Sequence, residues 1–71
     1  MTELELLVDT SGKFVSFMVD LYEKKSISAE FFRKSTRLKV EFIKNNINKT
    51  KNAEIKKHAY MILQKYHDVP A

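Results

Sequence analysis

This chain has no cysteine and no tryptophan, and its 71 residues include only one glycine and one proline. Without cysteine there is no disulfide framework, no thiolate metal site and no thiol nucleophile. The reducing cytosol is the natural setting, so cytoplasmic is the expected localisation. The sole glycine, Gly12, rules out a glycine-rich loop of the kind that cradles phosphate. So few turn-forming residues also leave an all-β fold without the punctuation it needs. No apolar run approaches the roughly 18 residues of a membrane span. The opening MTELELLVDTSGK carries acids where a secretory signal carries Lys or Arg. A soluble, unprocessed chain with no membrane partner is expected. It makes one domain, residues 1–71, near the lower size at which a single core holds a chain without disulfides or metal. Any assembly partner therefore matters for stability.

What the chain does contain is unevenly placed charge. Residues 1–30 hold three lysines against six acids, a net of −3, and residues 31–71 hold ten basic residues against three acids, a net of +7; the two sum to +4. An acidic first third joined to a basic remainder fits an anionic partner. It fits charge complementarity within the chain, or head to tail between chains, equally well. The wealth of Lys, Asn and Ile also accords with AT-rich coding, as in low-GC bacteria and their phages.

Apolar spacing predicts three helices, at about residues 3–24, 29–46 and 52–66, and hence an all-α, small three-helix bundle. In the first, Leu4, Leu7, Val8, Ser11, Val15, Met18 and Tyr22 follow the i, i+3, i+4, i+7 rule. Gly12 costs on the order of 1 kcal/mol there relative to Ala. Either it lets another helix approach closely beside Ser11, or it splits the segment; one continuous helix is the reading taken. In the second, Phe31, Phe32, Ser35, Val40, Phe42, Ile43 and Ile47 cover about half the circumference, more than one neighbour requires. That width predicts the second helix as the middle one, serving two neighbours. Ser28 is the expected N-cap, with Ile27 and Phe32 as a hydrophobic staple. Ile47 is expected to pin the following connection to the core. The third helix has one narrow stripe of Ile55, Ala59, Ile62, Leu63 and Tyr66, with Tyr60 and Met61 off it, and residues 67–71 are expected to fray.

The segment LYEKKSISAEFF resembles the short bacterial helical oligomerisation segments known as SHOCT, in which a helix, a brief turn and an Ile-Ser/Thr-x-Glu-Phe opening recur. The resemblance covers barely a dozen residues and lacks the Gly usually found before the Ile, so no family is assigned on it.

No catalytic or metal constellation emerges. Acid/base work needs a carboxylate or His in a shielded pocket; Glu5, Asp9 and Asp20 share the first helix's only polar strip, which reads as solvated. His58 and His67 are nine residues apart with no second ligand at helical spacing. No enzyme activity, no cofactor, no metal and no small-molecule substrate are expected. Two surfaces remain. The first helix has more apolar residues than a three-helix core needs, and Leu6, Phe14, Phe17, Met18 and Leu21 are the expected protein interface. The partner is another protein or a second copy, with a homodimer through the first helix expected, Gly12 and Ser11 permitting the close approach. Arg33, Arg37, Lys44, Lys56 and Lys57 form the candidate anionic or nucleic-acid contact. A helix-turn-helix is disfavoured, because Asn45 to Thr50 is longer than its 3–4-residue turn and lacks the usual Gly. The expected function is a small non-catalytic interaction module that regulates or inhibits a partner protein, in the manner of bacterial or phage accessory proteins. The alternative is a nucleic-acid-binding accessory factor using the basic face of the second and third helices.

Overall fold

Each helix begins where a side chain can take up the free amides of its first turn. Thr2 caps α1 (Glu3–Glu23) and forms a reciprocal capping box with Glu5. Ser28 accepts from the Phe31 amide to open α2 (Ala29–Asn46), and Asn52 accepts from Glu54 and Ile55 to open α3 (Ala53–His67). A short 3-10 turn, Ile47–Lys49, joins α2 to α3. The structure is a computed structural model and describes residues 2–69; among them there is no strand. This is an all-α three-helix bundle.

The first connection is tight because of Lys25. α1 ends with the Lys25 amide donating to Tyr22 and the Ser26 amide donating to Leu21, the two bonds of a Schellman cap. That cap needs a left-handed residue, usually glycine, and Lys25 occupies it with φ of 61°. Ile27 then packs against the core and Phe32 is buried in it, as the staple predicts. After α2, buried Ile47 anchors the second connection.

The hub of the bundle is α1, and this corrects the expectation that α2 would be. α1 packs along both α2 and α3, whereas α2 and α3 barely touch. The reason lies in Gly12, which is buried, and in the polar strip beside it. A Cβ on Gly12 would stand 2.9 Å from Ile62 Cδ1, so the missing side chain is what admits α3. The strip that reads as solvated is the seam on which α3 sits. The Glu5 carboxylate, buried, accepts the Asn52 amide at 2.7 Å, and Lys65 of α3 donates to Ser16 at 3.4 Å and to Asp20 at 2.8 Å. Gly12 and Ser11 are therefore spent inside the chain and are not free for a close contact between copies.

Val8, Val15, Val19, Ile43 and Thr36 are fully buried at the centre. Each buried aliphatic side chain contributes about 1.5–3 kcal/mol relative to exposure. Thr36 is tolerated there because its hydroxyl donates to the Phe32 carbonyl at 2.7 Å. At one end Phe32 stacks on Tyr22 of α1, with centroids 4.8 Å apart, and meets Tyr66 of α3 at 5.6 Å, so a single ring ties all three helices. α3 runs one residue past its expected end, and Val69, expected to fray, packs against the core. Pro70 and Ala71, the rest of that expected tail, lie outside the described residues.

Candidate functional site: two exposed surfaces

Once α1 has met its two neighbours, one side of it is left over. Val8, Val15 and Val19 are consumed by the core, but Leu6 is 51% exposed, Leu7 48%, Phe14 37% and Phe17 58%. Helical geometry puts these on one stripe, with Leu21, half-buried against the core, continuing it. Met18 is the exception among the expected interface residues. At 4% exposure it belongs to the core, because it lies at the edge of the stripe nearest Val15.

The stripe does not stop at α1. A shallow groove between α1 and α2 is lined by Leu7, Ser11, Leu38, Lys39 and Phe42, so the apolar surface crosses onto α2. There Leu38 is 71% exposed and Phe31 54%. Phe31, Ser35 and Phe42 widen the apolar arc of α2; Phe31 faces outward, whereas Phe42, half-buried, packs against the core at the rim of the groove. Leu38 was missed because it sits at the outer border of the arc, among charged residues; its spacing from Phe31 and Phe42 is the signal that would have placed it. Tyr60 and Met61 are likewise exposed, on α3, and the Tyr60 hydroxyl donates to Asn48 Oδ1 at 3.4 Å.

The basic candidates divide. Arg33, Arg37 and Lys44 are exposed and form one row on α2, on a different flank from Phe31. Arg33, Lys34, Arg37 and Leu38 line a shallow concavity. Among the described residues no carboxylate lies within ion-pair distance of Arg33, Arg37 or Lys44, whereas Lys34 is held by Glu30 at 3.0 Å. Two unpaired arginines at i, i+4 repel by a few tenths of a kcal/mol, a cost that an anion would relieve. Lys56 is half-buried and Lys57 exposed. Consecutive helical residues diverge by about 100° and do not face each other, so these two do not make one patch.

Two carboxyls at the α1–α3 seam are perturbed. The Glu5 carboxyl lies below its usual 4.5, first through the Thr2 amide and then the Asn52 amide, which bond its ionised form. Asp20 lies below its usual 3.8 through the hydrogen bond from Lys65. Both groups are engaged in holding the fold, and neither opens on a cavity. Among the described residues no three His, Asp or Glu side chains cluster as metal ligands do, and no helix is long and apolar enough to cross a membrane.

Comparison with protein-family models, with characterised proteins and with solved structures gives no match. The reading of function therefore rests on the two surfaces.

Proposed function

We propose that this chain is a small, non-catalytic protein-interaction module that regulates or inhibits a partner by docking its exposed apolar face on it. The observation that carries this reading is the continuous exposure of Leu6, Leu7, Phe14 and Phe17 on α1 with Phe31 and Leu38 on α2. Half-exposed Leu and Phe side chains leave on the order of 100 Å² outside each, so these six present roughly 600 Å² of apolar surface. That is the upper end of the largest patch a monomer ordinarily shows. Leu21 supports the edge of the face, and Phe14 and Phe17 supply the aromatic anchors typical of interface centres.

The test is a photo-crosslinking residue placed at position 17 and, separately, at position 57, in cells producing the chain. Protein adducts from position 17 and none from position 57 are expected. Equal yields from both positions would contradict the reading. A second reading has its own observation, the unpaired Arg33–Arg37–Lys44 row: contact with a nucleic-acid backbone. It predicts that a fluorescent DNA duplex binds at low salt and is released steeply as salt rises. The double substitution Arg33→Glu, Arg37→Glu abolishes that binding, and Phe17→Glu leaves it intact.

A further inference from the structure

The apolar stripe of α1 repeats in steps of seven. Leu7, Phe14 and Leu21 form one set, and Glu3, Thr10, Phe17 and the C-cap Lys24 the other, apolar only at Phe17, so the two alternate at spacings of three and four. That is the spacing by which two helices interlock along a seam. The single polar residue in its middle is already satisfied: Thr10 donates its hydroxyl to the Leu6 and Leu7 carbonyls of its own helix, at 3.0 and 3.2 Å. Ser35, on the adjoining flank of α2, does the same to the Phe31 carbonyl at 2.6 Å. Covering this face with protein therefore orphans neither hydroxyl.

The ends of the stripe carry opposite charge. Glu3 lies at one and Lys24 at the other, both exposed and neither ion-paired among the described residues. A second α1 laid antiparallel across the first sets each Glu3 end against a Lys24 end, while a parallel one sets like against like. The face is self-complementary in only one direction. Its roughly 600 Å² approaches the ~800 Å² each partner buries in a standard interface, and a twofold pairing closes without leaving the stripe open.

We infer that the occupant of this face is a second copy of this chain, the two α1 helices pairing antiparallel about a twofold axis near Thr10 and Phe14. Phe31 and Leu38 of α2 flank the seam. The Arg33–Arg37–Lys44 row lies beyond Leu38, with which Arg33 and Arg37 share a shallow concavity, at the outer border of the seam. This inference rests on the reading that the face docks protein.

Sedimentation equilibrium tests it. The wild-type chain is expected to sediment at twice the 8.4 kDa monomer mass at both low and high salt, because the seam is apolar. Phe14→Glu is expected to give a monomer with unchanged helical circular dichroism. Glu3→Lys and Lys24→Glu each weaken the dimer, roughly 2- to 10-fold for two rim pairs, and the double substitution restores it; a folding defect would not be reversed in this way. A wild-type monomer at ~100 µM, far above the dissociation constant of a standard interface, overturns the inference. So does a folded Phe14→Glu dimer, or a double substitution no better than the singles. If the wild type is a monomer, crosslinks from position 17 to a different protein leave the docking reading standing with another occupant. No crosslink at all removes both.

Discussion

Replacing Gly12 with alanine tests the hub arrangement, because two effects of similar size oppose each other there. In an exposed helix interior the change stabilises by about 1 kcal/mol. Here the new Cβ would lie 2.9 Å from Ile62 Cδ1. That atom is the far end of a side chain, so it moves by turning χ2 away from its well, at about 0.5–1.5 kcal/mol. Gly12→Ala alone is therefore expected to leave stability near its starting value. Ile62→Val removes the offending methyl at a cost of about 0.5–1.5 kcal/mol. In that background Gly12→Ala should recover its full ~1 kcal/mol, about 4–8 °C in melting temperature for a chain of this size. Urea or thermal unfolding of the four proteins, followed by circular dichroism, closes the cycle with a coupling of about 1 kcal/mol. If alanine stabilised equally in both backgrounds, Gly12 would not face Ile62, and the docking of α3 on α1 would be wrong.

Further expectations follow from single contacts. Lys25 holds a left-handed conformation that costs a non-glycine residue about 1–2 kcal/mol, so Lys25→Gly should raise the unfolding free energy by about 1 kcal/mol in the same denaturation assay; a loss would show that the Schellman cap is not formed. Ile43→Ala, at a fully buried site, should cost about 2–5 kcal/mol, and a loss below ~1 kcal/mol would place Ile43 outside the core. The Glu5 carboxyl is held below 4.5, so its folded value lies under its unfolded one. Its contribution is therefore present above pH 4.5 and disappears as pH falls through the lower folded value. Glu5→Gln should destabilise at pH 7 and show a flatter stability curve through that window, measured by urea titrations at successive pH values; a wild-type curve equally flat there would contradict the bonding of the Glu5 carboxylate by the Thr2 and Asn52 amides.

The helix bounds, the Ser28 cap, the Ile27–Phe32 staple and the anchoring by Ile47 were all legible because each depends on residues within a turn or two of one another. The order of packing was not. An apolar arc reads the same whether it faces a neighbour or solvent, so Phe31 looked like part of a second packing face for α2 although it lies on the outer surface. The strip of Glu5, Ser16 and Asp20 looked solvated for a related reason: its partners, Asn52 and Lys65, are 45 to 49 residues away along the chain. Of the expected interface, Leu6, Phe14 and Phe17 stand exposed and Leu21 stands at the margin. Met18 went to the core because one helical step separates the outer stripe from the inner one. The basic row on α2 was legible from i, i+4 spacing alone, whereas grouping Lys56 with Lys57 ignored the turn between neighbouring helical residues.

The most direct test of the apolar face is an isotope-filtered nuclear Overhauser experiment on an equal mixture of labelled and unlabelled chains. Cross-peaks that link the Phe14 and Phe17 rings of one copy to the Thr10 and Leu21 methyl groups of the other are the predicted result. Cross-peaks arising instead from Tyr60 and Met61, exposed on α3, would contradict the account, because they would place the contact surface on α3 and not on the α1 stripe.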